Sequence, residues 1–286
     1  MRRRRLTGLL FGASMAGPTV GPSRLAAQPS AIPVIGNLDS TAPTPAEAPY
    51  VEAYSRGLAE TGFSVGRNVR FERRYAEGHY DRLPALAADL VSRKVAIITT
   101  GSLPSTNAAK NATPTIPIVF TLGTDPIAAG VVSNLARPGG NLTGVSILNV
   151  ELLPKRFDLL CELVPRAKTV ALLVNPANSN AGRMIRDAEE AGRRKEVRID
   201  VLNAANEQEI DAAFEAIAER RPNALLLGTD PVFSAQREQL IVLAARHRVP
   251  TIFGFATAGG LISYGTNLAE VYRQAGVYAG LILKGT

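Results

Sequence analysis

Two identical polar phrases, each shortly after an apolar run, constrain the fold most strongly. Gly123-Thr124-Asp125-Pro126 follows the run 116–120, and Gly228-Thr229-Asp230-Pro231 follows the run 224–227. Each predicts a buried strand that ends in a polar loop. In open α/β sheets, ligands bind in the crevice beyond the carboxyl ends of the strands. The repeat therefore predicts two similar lobes that face one another across a site for a small molecule.

Short apolar runs alternate with amphipathic segments along the rest of the chain. Strands are predicted at 32–35, 69–71, 95–98, 116–120, 170–174, 197–201, 224–227 and 251–253. Helices are predicted over 49–61, 80–92, 105–112, 151–163, 181–193, 207–220, 233–246 and 267–283. Such alternation is typical of βαβ units and parallel sheets. The predicted fold class is therefore α/β, with two Rossmann-like lobes built on parallel sheets and joined by a hinge.

The boundary between the lobes is predicted near residues 146–150, where an extended segment gives way to a new helix. The last amphipathic segment has apolar residues at helical spacing and is predicted to cross back to the first lobe. This organisation assigns 28–146 plus 265–286 to the first lobe and 147–264 to the second.

The first 27 residues have the three parts of a secretory signal peptide. Four arginines follow Met1, an apolar and glycine-rich stretch comes next, and small residues end at Ala27. This pattern predicts export to the periplasm with cleavage near Ala27. The apolar stretch is too short for a membrane span, which needs about 20 apolar residues. The protein is accordingly expected to be periplasmic, without stable insertion in the membrane.

The net charge argues against nucleic-acid binding, and the cysteine content excludes an intramolecular disulfide. The leader holds five of the 32 basic residues and no acidic one, which leaves 27 basic against 25 acidic residues, or a net charge of +2. No nucleic-acid partner is expected from so small a charge. Cys161 is the only cysteine, so no intramolecular disulfide forms, and its apolar neighbours indicate a small core residue.

The predicted strand ends carry nearly all of the candidate ligand contacts. They are rich in Gly, Ser, Thr, Asn and Asp, which supply hydroxyls, amides, carboxylates and free backbone N–H groups. The helix start at residues 102–106 is the candidate site for a ligand carboxylate, because N–H groups at a helix N-terminus bind anions. The candidates from these segments are Ser40, Ser102, Ser105, Asp125, Asn175, Asp230 and Phe255.

Each of these polar residues also has a purely structural interpretation. Asp125-Pro126 and Asp230-Pro231 both resemble an N-cap followed by proline at the first helical position. Ser102 and Ser105 fit capping as well, and Asn175 before a proline is typical of a turn. Capping and ligand contact are compatible, since one carboxylate oxygen can cap while the other faces a cleft. Both interpretations stay open.

Enzyme chemistry has little support in the sequence. The two histidines, His79 and His247, lie away from the predicted strand ends, and no cluster suggests a metal site. No Gly-x-Ser-x-Gly elbow or phosphate-binding loop is present. We therefore expect no catalytic residue, metal or cofactor. The alternative is a cleft enzyme acting on a small acid or sugar, with Asp125 and Asp230 as its carboxylates. A ligand-sensing transcription factor ranks below it, because a leader occupies the place of a DNA-binding helix-turn-helix.

The chain resembles the substrate-binding proteins of ABC transporters, in the tryptophan/tyrosine-type group. The matching phrases cover nearly the whole chain after the leader. They are Gly57-Leu58-Ala59-Glu60-Thr61-Gly62-Phe63, Gly66-Arg67-Asn68-Val69, Tyr75-Ala76-Glu77-Gly78, Leu83-Pro84-Ala85-Leu86-Ala87, Ile116-Pro117-Ile118-Val119-Phe120, Asp125-Pro126, Arg137-Pro138-Gly139-Gly140-Asn141-Leu142-Thr143-Gly144, Lys155-Arg156, Glu162-Leu163-Val164-Pro165, Val174-Asn175-Pro176 and Ser263-Tyr264-Gly265.

This resemblance implies a type I periplasmic binding protein fold that captures an amino acid or a related organic acid between its lobes. It implies delivery to an ABC permease with its ATPase, and we expect a monomer. For an amino acid, the carboxylate is expected near Ser102, the ammonium at Asp125 or Asp230, and the side chain against Tyr264 or Phe255. The family pattern continues beyond a phrase like Leu283-Lys284-Gly285 into a further strand and helix, whereas the given sequence stops at Thr286.

Overall fold

The computed structural model describes residues 32–255 and 260–285. The predicted signal peptide, 1–27, lies outside the described residues, and so does part of the predicted strand-end loop 254–257. Within the described ranges, no helix combines the length and the apolar character that crossing a membrane requires.

The strands of the described residues form two parallel sheets of five. The first contains β1 (Val34–Asp39), β2 (Arg70–Tyr75), β3 (Ile97–Thr100), β4 (Ile118–Leu122) and β5 (Leu142–Ser146), in the order β2-β1-β3-β4-β5. The second contains β6 (Thr169–Val174), β7 (Arg198–Asn203), β8 (Ala224–Leu227), β9 (Thr251–Phe253) and β10 (Ile262–Ser263), in the order β10-β9-β8-β6-β7. Both sheets thus have the same doubly wound topology, and each reverses its order beside its first strand.

Helices cover both faces of each sheet. They are α1 (Ala48–Glu60), α2 (Leu83–Ser92), α3 (Leu103–Ala112), α4 (Leu153–Leu163), α5 (Ala181–Lys195), α6 (Glu207–Arg220), α7 (Pro231–Ala235), α8 (Arg237–Arg246) and α9 (Leu268–Leu283). Because each sheet is covered on both faces, its central strands are continuous apolar runs, as in β4 and β8. The predicted α/β class with two parallel-sheet lobes is confirmed.

Two predicted helices differ from those observed, and the helix start suggested by Asp125-Pro126 is not formed. The segment 80–92 begins with a 3₁₀ turn, Tyr80–Arg82, before α2. The segment 233–246 divides at Gln236 into α7 and α8. After Asp125-Pro126, the chain forms a turn rather than a helix, so the predicted helix start there is wrong. Asp125 instead accepts hydrogen bonds from the backbone N–H groups of Ile127 and Ala128, which satisfies the same cap chemistry in a turn.

The last helix, α9, packs directly against α1 beside the first sheet. A Cβ atom added at Gly57 would overlap the carbonyl oxygen of Arg273, and one added at Gly276 would overlap that of Tyr54. The two backbones can approach so closely only because these positions lack a side chain. This packing supports the proposed assignment of 265–286 to the first lobe, although the lobe boundaries remain a proposal.

Candidate functional site

A cavity of about 630 Å³ lies between the carboxyl ends of the two sheets. Asp39 and Ser102 line it from the first sheet, while Thr229, Asp230 and Gly254 line it from the second. Its volume falls within the range of small-molecule sites in proteins, about 300–1,000 Å³. Its position beyond the strand ends is the one that the doubly wound topology favours for a ligand.

A hydrogen-bonded pair of loops marks the point where the strand order of the first sheet reverses. The hydroxyl of Ser40, after β1, lies 2.6 Å from that of Ser102, after β3. Ser102 also caps α3, since its side chain accepts a bond from the backbone N–H of Ser105. The Ser105 hydroxyl is fully buried and lies 2.9 Å from that of Ser102. A short chain of hydroxyls therefore meets the positive end of α3 at the cavity wall.

The second sheet repeats this arrangement with amides and a carboxylate. Asp230, after β8, accepts hydrogen bonds from the side-chain amides of Asn175 at 3.1 Å and Asn178 at 2.8 Å, both after β6. It also caps α7 by accepting a bond from the backbone N–H of Val232. Burial raises the pKa of the Asp230 carboxyl, while these hydrogen bonds act in the opposite direction.

A tyrosine from the first lobe completes the environment of Asp230. The Tyr80 hydroxyl donates to the two carboxylate oxygens of Asp230, at 3.0 and 3.1 Å. The Tyr80 ring packs against the hydrophobic cores of both lobes. Four donors thus surround the Asp230 carboxylate, and one of them comes from across the cleft.

The structure separates the predicted site residues into three groups. Ser40, Ser102, Asp230 and Phe255 line the cavity. Ser105 and Asn175 lie one hydrogen bond behind that lining. Asp125 and Tyr264 lie outside it.

Asp125 and Tyr264 lie outside the lining because their loops turn away from the cavity. The loop at Asp125 is tied to the start of α4, since its backbone N–H donates to Glu151. The Tyr264 side chain is 41% exposed, and its carbonyl accepts a bond from Arg156.

Several polar residues that line the cavity lie within the strands rather than after them. Asn37 and Asp39 in β1 and Thr99 in β3 all line its first-lobe end. Asn37 donates to Asp39 and accepts from Thr99 at 2.9 Å. The sequence placed all three in polar strand-end phrases, 36–40 and 99–102, but only Ser40 and Ser102 were selected from them as ligand contacts. The available signal was the polar pair at alternate positions 37 and 39, which places both side chains on one face of an otherwise apolar strand.

Aromatic rings form much of the apolar wall around these polar groups. Tyr50 stacks on Tyr272 with ring centroids 5.3 Å apart, and Tyr54 meets Phe71 edge-on at 5.8 Å. These residues come from α1, α9 and β2, which close the first-lobe end of the cavity. The cavity therefore combines flat apolar surfaces with buried hydrogen-bonding groups.

Arg156 is a fully buried cation behind the second-lobe wall of the cavity. It donates to the carbonyl oxygens of Asn149 at 2.6 Å and Tyr264 at 3.3 Å, and to the Thr229 hydroxyl at 3.1 Å. Burial lowers the pKa of its guanidinium to about 10. Arg156 thereby links the two chain segments at Asn149 and Tyr264 with the loop at Thr229, just before Asp230.

Comparisons with known proteins agree with this geometry. Residues 43–286 match the family described as ABC transporter substrate binding protein. A tyrosine-binding protein from Clostridioides difficile (strain R20291) is 26% identical over 238 residues, which cover 82% of this chain and 68% of that protein.

Two solved structures are also similar. A conserved domain protein from Vibrio cholerae has a TM-score of 0.79 at 25% identity, covering 89% of this chain and 86% of that chain. An ABC domain from Streptococcus pneumonia, solved in complex with L-Trp, has a TM-score of 0.76 at 22% identity, covering 89% of this chain and 85% of that chain.

These findings confirm the type I periplasmic binding protein fold and the family resemblance carried by the sequence phrases. They support the solute-binding interpretation, and they do not support the alternative of a cleft enzyme. The chain belongs to the family of ABC transporter substrate-binding proteins, which bind a small solute and are not enzymes.

Proposed function

We propose that this protein captures an aromatic amino acid in the cavity between its lobes and delivers it to an ABC permease with its ATPase. The observation that carries this proposal is the combination of stacked aromatic rings with buried polar groups in one cavity reached by both lobes. The names of two similar proteins, a tyrosine-binding protein and a domain solved with L-Trp, support the same ligand class.

The proposed pose places the ligand carboxylate against the hydroxyls of Ser40 and Ser102. The N-terminal end of α3 favours negative charge there. The aromatic side chain of the ligand then packs on the edge-on pair of Tyr54 and Phe71, where further ring contacts are favourable. The proposed pose also includes a direct contact between Asp230 and the ligand.

Closure of the lobes is the proposed capture step. The bond between Tyr80 and Asp230 forms only when the lobes are close, so the closed state holds a contact that an open state lacks. A ligand that touches both lobes favours closure by its differential affinity for the two states. Export through residues 1–27 to the periplasm, and function there as a monomer, complete the proposal.

A ligand panel tests this function. Thermal unfolding and isothermal titration calorimetry of the chain without residues 1–27 would use L-Trp, L-Tyr and L-Phe, with benzoate and a pentitol for comparison. Aromatic amino acids are expected to raise the unfolding midpoint, because a ligand at 100 times its Kd stabilises the folded state by about 2.7 kcal/mol. Stabilisation by the pentitol, with none by the amino acids, would overturn the proposal.

A further inference from the structure

We propose that the amino group of the solute binds at the first-lobe end of the cavity, between Asp39 and Glu47 and against the tyrosines of α1 and α9. This inference rests on the proposed function, which supplies a ligand with an ammonium group. It assigns that group to Asp39 instead of Asp125 or Asp230, where the sequence had placed it.

Asp39 is a cavity carboxylate with unused hydrogen-bonding capacity. It is the last residue of β1 and lines the cavity. Among the described residues, its side chain accepts a bond from Asn37 and takes part in no salt bridge. Asp230, by contrast, is already met by four donors. An ammonium group entering the cavity therefore finds its free acceptors at Asp39.

Unpartnered polar atoms surround the same end of the cavity. Within the described part of the chain, the hydroxyls of Tyr54 and Thr44 are buried and have no hydrogen-bond partner. Both residues line the same cavity as Asp39. A buried polar group without a partner costs free energy, so such groups point to a ligand that supplies the missing bonds.

A second carboxyl group acts on Asp39 at this end of the cavity. Glu47, just before α1, lines the cavity and acts on Asp39 as a second negative charge. The neighbouring groups from the other elements are Arg73 on β2, Arg237 of α8, which lines the cavity and acts on Glu47 as a positive charge, and the hydroxyls of Tyr50 and Tyr272. Burial raises the pKa of Asp39 to about 7, Glu47 adds to this effect, and Asn37 and Arg73 oppose it. A positive ligand would remove the repulsion between the two carboxyl groups.

The surrounding rings indicate an organic ammonium rather than a metal ion. Tyr50 and Tyr272 present stacked aromatic faces, which attract ammonium groups through cation–π contacts. Metal ions need several ligating side chains, and the described residues contain no group of three His, Cys, Asp or Glu side chains that could hold one.

Binding of an ammonium at Asp39 has a measurable proton balance. Below about pH 7, the free carboxyl carries a proton. When the ammonium pairs with the carboxylate, that O–H bond breaks and the proton leaves to the buffer. Calorimetry of L-Trp at pH 6 in two buffers of different ionisation enthalpy should detect close to one proton released. Affinity should be roughly 10-fold lower at pH 6 than above pH 8, because ligand and proton compete for one group.

Two variants of similar chemistry separate this inference from the proposed function. Asp39→Asn should weaken L-Trp about 30-fold or more and abolish proton release, because the ammonium loses its charged partner. Asp125→Asn, which changes a carboxylate outside the cavity lining, should leave both unchanged. Indole-3-propionate lacks the amino group, so Asp39→Asn and the parent protein should bind it with the same affinity at pH 8. Circular dichroism checks that both variants fold.

The outcomes are distinct. Parent-like L-Trp affinity and proton release in Asp39→Asn would overturn the ammonium site while leaving aromatic amino acid binding intact. A parent protein that binds none of the aromatic amino acids would overturn the proposed function itself.

Discussion

The hydroxyl of Tyr80 donates to both carboxylate oxygens of Asp230, at 3.0 and 3.1 Å, although the two residues are 150 positions apart and lie in different lobes. In the second lobe, Asn175 and Asn178 already hold the Asp230 carboxylate in place. The acceptor is thus preorganised within one lobe, and Tyr80 reaches it from the other lobe.

Removal of this bond should favour the open state. Tyr80→Phe deletes only the hydroxyl, and a hydrogen bond to a charged group contributes about 1.5–3 kcal/mol. We expect affinity for the captured amino acid to fall about 10-fold and the radius of gyration without ligand to increase in small-angle scattering. Tyr278→Phe, in the core between α9 and the sheet, is the control and should leave both unchanged.

Asp230→Asn tests whether Asp230 acts on the ligand directly or through Tyr80. An amide nitrogen would replace one of the two acceptor oxygens that face the donating amides, so stability in urea should fall by about 1–3 kcal/mol. A double-mutant cycle with Tyr80→Phe then isolates the coupling for ligand affinity. Full additivity of the two losses would contradict an action through Tyr80, whereas strong coupling would support it.

The contact between α1 and α9 should tolerate no added methyl group. Gly276→Ala would drive a Cβ atom into the carbonyl oxygen of Tyr54, and overpacking of this kind costs about 1–3 kcal/mol or more. Ligand affinity should fall too, because Tyr272 and Ala275 of α9 line the cavity. Gly182→Ala is a matched control on α5, where the nearest atom is a flexible arginine end at 3.5 Å. Its stability should be unchanged or higher.

The stability of the ligand-free protein should depend on pH through Asp39. Its pKa is raised from 3.8 to about 7 by burial and by Glu47, so the folded state binds a proton that the unfolded state has released. The resulting stabilisation is complete below about pH 4 and declines as pH rises towards 7, by at most about 1.4 kcal/mol per pH unit. Urea unfolding between pH 5 and pH 8 should show this decline relative to Asp39→Asn. A difference between the two proteins that stays constant with pH would contradict it.

Strand-end residues were accessible to prediction because their position follows from sequence pattern alone. A polar residue directly after a buried parallel strand must lie at the carboxyl edge of the sheet. Ser40, Ser102 and Asp230 were selected in this way, and all three line the cavity. Asp125 met the same criterion, but its loop is tied to Glu151 and turns away.

The first-lobe end of the cavity was not accessible in the same way. Asn37, Asp39 and Thr99 stood in the predicted strand-end phrases but were not selected, because only the packing of α1 and α9 decides that a cavity remains beside them. Tyr80 lay in a predicted helix start, and nothing local indicates a partner 150 residues away.

The sequence by itself determined the parallel α/β architecture, the duplication of the lobes and the polar strand ends, because apolar runs and their spacing are local properties of the chain. The tertiary structure decided which of those polar groups share a cavity, which carboxylate is already saturated and which is free. These outcomes depend on contacts between distant elements, whose geometry no local pattern encodes.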